Sequence, residues 1–166
     1  MLITNLSEAD QAWVRERTEL LFSGNFLVSR EVVHDPTRLP GFIAVEHGER
    51  VGVATYHIAG ELCELVSIDS LCQFMGVGTE LLAAVESAAR AAGCARLWTI
   101  TTNDNLDALR FFQRRGFLIT AYRLGGMDRI RELKPIPADG YYGIPIRDEI
   151  ELEKPVAPGA GWRIVQ

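Results

Sequence analysis

The sequence offers little for disulfide or metal chemistry. It holds three cysteines, Cys63, Cys72 and Cys94, an odd number without Cys-x-x-Cys spacing, and three scattered histidines, His34, His47 and His57. A disulfide framework or a zinc cluster needs paired ligands, so reduced thiols, a cytoplasmic location and no metal are expected. No run approaches the ~20 apolar residues of a bilayer-spanning helix. The opening Met1-Leu2-Ile3-Thr4-Asn5 carries no basic stretch leading into an apolar one, so no membrane partner is expected. Cationic side chains are outnumbered, 17 Lys and Arg against 22 Asp and Glu, for a net charge of -5. A phosphate polymer demands clustered Lys and Arg, so nucleic acid is not the expected partner, and a cationic acceptor is mildly favoured. Much of the acidity sits in Arg147-Asp148-Glu149-Ile150-Glu151-Leu152-Glu153, where a solvated strand face accounts for it. Trp13, Trp98 and Trp162 are too dispersed to stack on bases.

What is present fits one globular domain: 166 residues, 48% hydrophobic and 23% charged. A short strand from Leu2 to Leu6 precedes a helix bearing Trp13, Val14, Leu20 and Leu21, with Ser7 and Asp10 at its start. Residues 26–40 read as loop with one short element. Strands at Phe42–Glu46 and Val51–Ile58 flank a glycine-containing turn, and a third strand, Leu62 to Ser70, follows too closely for a helical crossover. Leu81, Leu82, Val85, Ala88, Ala89 and Ala92 recur at helical spacing, ended by Gly93. A strand at Arg96–Thr102, a helix at Asn105–Arg115 and a strand at Phe117–Leu124 come next. This pattern predicts an α+β (α/β) fold with a mixed, mostly antiparallel sheet flanked by helices. The domain spans 1–154, with a core over 42–124, a long excursion loop at 125–145 and a last strand at 146–153; residues 155–166 form a tail.

The stretch most informative about chemistry is Gln73-Phe74-Met75-Gly76-Val77-Gly78-Thr79, between a strand and the start of the most regular helix. Two glycines let backbone amides converge, and the positive helix end adds to them, which suits a pyrophosphate. A tight turn without a ligand is the other reading of the same residues. No Lys follows Gly78 as in a Walker loop, and the third glycine of a dinucleotide turn is missing.

The arrangement resembles the GCN5-related N-acetyltransferase (GNAT) family, whose Gln/Arg-x-x-Gly-x-Gly/Ala signature is met by Gln73, Gly76 and Gly78. Its later Asn-x-x-Ala segment, aromatic helix and Gly-Phe are matched by Asn105 through Phe117. The resemblance covers roughly residues 42–124. It implies a sheet open at a strand splay where acyl-coenzyme A binds. The pyrophosphate would lie on the amides of Met75, Gly76, Val77, Gly78 and Thr79, with Gln73 and Phe74 at the rim. Pantetheine would pair with the backbone of Ile68, Asp69 and Ser70 and with Asn105. Acetyl-coenzyme A is the implied co-substrate.

The reaction implied is direct attack of an amine on the thioester. It needs a neutral amine, an oxyanion donor and a route for protonating the thiolate. The backbone N–H near Ser70 is the expected oxyanion donor. Glu64, six residues earlier and so expected on the same sheet face, is the expected base. Family members often carry Tyr four residues before the glycine of Gly-Phe; here Phe112 stands at that place beside the cofactor and has no proton to give, so another group such as Tyr141 or Tyr142 supplies it, or the thiolate leaves into solvent, or catalysis is weak or lost. Tyr141 and Tyr142 are the expected acceptor contacts. The basic stretch Arg123, Arg129, Arg131 and Lys134 reads as a solvated face. Two functions follow: an N-acetyltransferase acting on a primary amine of a small molecule or peptide, or a non-catalytic acetyl-coenzyme A-binding sensor or interaction module of the same fold. The last strand, alternating apolar and charged residues, suits a sheet edge that could pair in a homodimer.

Overall fold

The computed structural model describes residues 1–71 and 75–162. Cys72, Gln73 and Phe74, and with them the expected rim of the glycine loop, lie outside the described residues. The chain forms two compact units, residues 1–97 with the segment from Pro155 onward, and residues 98–154. Its elements make a mixed α/β fold with a mostly antiparallel sheet and flanking helices.

In the first unit, β1 (Leu2–Asn5), β4 (Gly41–Glu46), β5 (Glu49–Ala59) and β6 (Leu62–Ser70) lie side by side in that order, each pair antiparallel. A hairpin of β2 (Leu27–Ser29) and β3 (Val32–His34) stands apart from them. One face of the sheet receives α1 (Gln11–Phe22), whose Val14 packs with Ile43 and Val53. Leu20 points outward at 69% exposed. The start of α1 is held by Ser7, whose N–H and hydroxyl both donate to Asp10 Oδ2, and by Arg50 Nε donating to Oδ1. Burial alone would raise the Asp10 carboxyl, but the Ser7 and Arg50 bonds outweigh it and hold it below its usual range. The opposite face receives α2 (Val77–Ala91), with Leu81, Leu82, Val85 and Ala89 buried as their spacing predicts.

Residues 26–40, expected to be loop with one element, contain the β2–β3 hairpin and a 3-10 turn at Pro36–Arg38 capped by the Asp35 side chain. The hairpin turn places Arg30 and Glu31 at φ 45° and 68°. Two-residue hairpin loops need positive φ at both positions, which Asn-Gly usually supplies. Non-glycine residues there give the sequence no turn signature.

In the second unit, β7 (Arg96–Thr102, its first two residues in the first unit), β9 (Glu149–Pro155) and β8 (Leu118–Arg123) lie in that order, with α3 (Leu106–Gln113) and α4 (Gly126–Arg131) between them in sequence. Three expectations are corrected here. The last strand starts three residues later than the pattern indicated, because Ile146 N–H is taken by Ala138 O inside the excursion. It is also not the edge: β8 is the outer strand. The acidic run is not a solvated face, since Asp148 and Glu151 are buried, and Glu151 accepts from Arg123 Nη2 at 2.7 Å. In the basic stretch Arg129 stays exposed, as a solvated face would have it, while two of its neighbours are taken up. Arg131 Nη2 donates to the carbonyls of Pro137 and Ile146, and Lys134 is buried, which lowers its pKa.

Asp148 anchors this unit. Both of its oxygens accept from Arg147 Nε at 3.0 and 2.9 Å, one also accepts the Gly125 N–H, and the Tyr122 hydroxyl donates to the other. The Arg147 bond foremost, against the cost of burial, holds this carboxyl well below the usual range. A depressed folded value contributes stability that is complete above the unfolded value of about 3.9 and is lost as pH falls through the folded one. Melting temperature should therefore decline below about pH 4, and Asp148→Asn should flatten that decline while lowering the neutral-pH value. Parallel acid profiles for the two proteins would remove Asp148 as the group responsible.

Candidate active site

The site-bearing strand is β6, and a bulge decides which way its side chains point. Thr55 pairs with Ser67 but Tyr56 pairs with Leu65, so Val66 is the extra residue. Each bulge shifts the two-residue alternation by one. Asp69, Ser67 and Glu64 therefore share the α1 face with their partners Val53, Thr55 and His57, while Ser70, Ile68, Leu65 and Cys63 share the α2 face. Arg17 of α1 pairing with Asp69 at 2.7 Å fits this assignment. The expectation that Glu64 and Ser70 share a face is corrected by this inserted residue. The backbone N–H of Ser70 is unaffected, because strand amides lie in the plane of the sheet and not on either face.

Glu64 is 5% exposed. The Ser29 hydroxyl donates to its Oε1. His34 Nε2 lies 3.1 Å from Oε2, off the axis of a ring N–H, and has no aligned hydrogen bond among the described residues. The His34 ring, also 5% exposed, sits 5.3 Å from that of His57, the ladder partner of Glu64. Beside them the Thr55 and Ser67 hydroxyls bond at 2.7 Å. Sequence reading missed Ser29, His34 and His57, because two of the three belong to the hairpin that had no turn signature.

The start of α2 packs where β5 and β6 end. Gly52 stands opposite Ser70, and a Cβ on it would fall 2.7 Å from Val77 Cγ1 and 2.8 Å from Asp69 O. Only glycine lets the first turn of α2 approach the strand this closely. Gly76 precedes the helix at φ 82°, and the helix has no side-chain cap among the described residues. Its first N–H groups thus end the helix without the usual Ser, Thr, Asp or Asn oxygen. Met75 and Gly76 are exposed and Val77 is buried. In this unit the fold brings Glu64, Ile68–Ser70 and Met75–Thr79 onto adjoining elements.

The remaining expected residues lie in the second unit. Asn105 Oδ1 caps α3 by accepting the Ala108 N–H at 3.1 Å, which leaves the Nδ2 group as a separate donor. Phe112 is 3% exposed and packed against Phe111 and Phe117, so its ring is part of the packing of this unit. Tyr141 and Tyr142 are exposed on the excursion. The Tyr141 N–H donates to Asp104 Oδ2 at 3.0 Å, and the Tyr142 hydroxyl donates to Asp107 Oδ2 at 2.7 Å, the bond that chiefly raises the Tyr142 pKa. Asn103 adds Nδ2 to Pro145 O and accepts the N–H groups of Arg147 and Asp148. The excursion is therefore tied to the segment that precedes and opens α3.

A model of the acetyltransferase (GNAT) family matches residues 6–117. The chain belongs to the GNAT family. The match takes in Glu64, the glycine loop, Asn105 and Phe112, and stops before the excursion that bears Tyr141 and Tyr142. Among relatives, the uncharacterized protein YdhI of Bacillus subtilis (strain 168) is 47% identical over 118 residues, 70% of this chain and 74% of its own. An IAA acetyltransferase from Bacillus cereus ATCC 14579 has the same fold at a TM-score of 0.74, with 20% identity over 93% of this chain and 98% of its own. A GNAT family acetyltransferase from Elizabethkingia anophelis, solved with acetyl-CoA bound, superposes at 0.70 with 21% identity, covering 93% and 97% of the two chains.

Proposed function

We propose that this GNAT protein is an acetyl-CoA-dependent N-acetyltransferase that moves the acetyl group to a primary amine of a small molecule or peptide by direct attack. The observation that carries the reading is the uncapped α2 N-terminus behind Gly76, seated by Gly52 beside the end of β6. Family membership and an acetyl-CoA-bound structure of the same fold support it. The amides of Met75 to Gly78 and the positive helix end hold the pyrophosphate, Thr79 lining the cradle with its own N–H given to Gly76 O at 2.9 Å. Pantetheine runs along the backbone of Ile68 to Ser70, the Ser70 N–H receives the thioester oxygen as it becomes negative, and Asn105 bonds the amide chain. The amine nitrogen bonds to the carbonyl carbon, its proton passes to Glu64, and the C–S bond breaks. Phe112 offers no proton, so the departing thiolate takes one from water. Tyr141 and Tyr142 contact the acceptor. The reaction needs no metal and takes place in the cytoplasm.

Phe112 favours a second reading, a module of the same fold that binds acetyl-CoA without turning it over. The two separate in one experiment: acetyl-CoA-dependent thiol release by purified protein across a panel of amines, with cofactor affinity measured by calorimetry. Turnover with an amine class establishes the enzyme; affinity without turnover across the panel supports the module. The cradle has its own test. Gly76→Glu should weaken acetyl-CoA binding about tenfold or more through repulsion of the pyrophosphate, whereas Gly76→Asn, which tolerates the left-handed backbone, should change it little. Equal affinities for the two variants would move the pyrophosphate elsewhere.

A further inference from the structure

The β2–β3 hairpin sends two side chains to one carboxylate. Ser29 ends β2 and His34 ends β3; the Ser29 hydroxyl donates to Glu64 Oε1 and His34 Nε2 sits 3.1 Å from Oε2. All three residues are at least nine-tenths buried. The contact is off the axis of a ring N–H, and Nε2 makes no aligned bond to any described group. Since Nε2 donates to no described group, a neutral ring with its proton on Nδ1 turns the Nε2 lone pair toward Oε2, able to accept a proton once Glu64 carries one. The ring of His57 stands 5.3 Å from that of His34 and is only half-buried. The titratable groups facing His34 in this cluster are Glu64 from β6 and His57 from β5; Cys63 points to the other face.

We propose that His34 is the relay that discharges Glu64: the proton taken from the amine passes from the Glu64 carboxyl to His34 Nε2 and leaves toward His57 and solvent. The inference rests on Glu64 acting as the base in the function proposed above. The balance is simple. Glu64 gains the proton the amine loses, His34 accepts it as the carboxylate is restored, and the imidazolium gives it to water. Ser29 keeps the carboxylate aimed through both events. His34 touches no substrate and acts only through Glu64, as a positioning and relay residue. The hairpin turn that brings it there is the one with Arg30 and Glu31 in left-handed conformations.

The test uses the full chain with an amine that the wild type acetylates. His34→Gln keeps a side chain that can bond Glu64 but cannot take a proton, and should lower kcat about tenfold or more while the KM for acetyl-CoA stays within about twofold. His34→Ala should show the same split, and small imidazoles added to it should restore kcat, more strongly as their basicity rises. Melting curves identify a variant that has failed to fold, and the conservative Gln variant then carries the result. Wild-type kcat in His34→Gln overturns the relay. So does rescue of His34→Ala that is independent of imidazole basicity, since that is what a filled cavity would give. Absence of wild-type turnover with every amine overturns the acetyltransferase reading, and the relay falls with it.

Discussion

Glu64→Gln should lower turnover by a factor of about 10²–10⁴, the range of a lost general base, and leave acetyl-CoA affinity nearly unchanged. The two quantities separate because the residues differ in place. Glu64 lies on the α1 face of β6 within the Ser29–His34 cluster, whereas the proposed cofactor contacts are the Ser70 backbone and the first turn of α2. The substitution keeps volume and shape. The amide oxygen still accepts from Ser29, and its NH₂ can face His34, so the hairpin has no steric reason to move. Because the amide meets both neighbours, no buried polar group is left unpaired and little stability is lost. The expected signature is therefore a fall in kcat with unchanged melting temperature and cofactor Kd. Unchanged kcat would remove Glu64 as the base. A rise in Kd alongside the fall in kcat would make it a structural residue of the first unit.

The sequence made the regular parts of the fold readable for a physical reason. In α2 the apolar positions Leu81, Leu82, Val85 and Ala89 fall on one 3.6-residue face and are the buried ones. The β4–β5 hairpin was visible because His47-Gly48 supplies the positive φ its turn needs. The parts that escaped depend on exceptions to such rules. Arg30 and Glu31 make the β2–β3 turn without the residues that normally mark one, and Val66 enters β6 as a bulge without a glycine to announce it. One of these hid Ser29 and His34, and the other reversed the face on which Glu64 sits relative to Ser70. The segment α4 is six residues long and opens with two glycines, too short for periodicity to show.

Charge misled for a related reason. Alternation of acidic and apolar residues in 147–153 reads as a strand with one wet face, because an unpaired buried carboxylate is costly. Here the cost is offset by two cations, the adjacent Arg147 on Asp148 and the remote Arg123 on Glu151. Periodicity cannot report the second pairing, which joins residues 28 positions apart. The glycine loop was legible as a cradle from residue type alone, and Gly52 adds what residue type does not reveal, that α2 begins within contact distance of the strand.

Gly140→Ala should be the most destabilising single methyl in the second unit. A Cβ at Gly140 would fall 1.9 Å from Asp104 Oδ2, 2.6 Å from its Cγ and 2.7 Å from Ile146 Cγ1. Asp104 is 1% exposed and cannot swing into solvent. If it shifts, the Tyr141 N–H loses its acceptor, and a carboxylate whose Oδ1 already makes no hydrogen bond among the described residues loses another contact. If the loop shifts instead, the Gly140–Ile144 and Ile146–Ala138 backbone bonds break. Either route costs about 3 kcal/mol or more, combining overpacking with an unmet buried polar group. For a chain of this size that is a fall of roughly 6–12 °C in melting temperature. Gly143→Ala is the matched control: its Cβ meets nothing within 4 Å, and only the φ of 70° opposes it. It should cost no more than about 1–2 kcal/mol. Equal stability of the two variants would mean that Asp104 does not pin the loop. If Tyr141 and Tyr142 contact the acceptor, Gly140→Ala should also raise the acceptor KM at temperatures where it remains folded, with acetyl-CoA affinity unaltered, because the latch holds those two rings and not the α2 cradle.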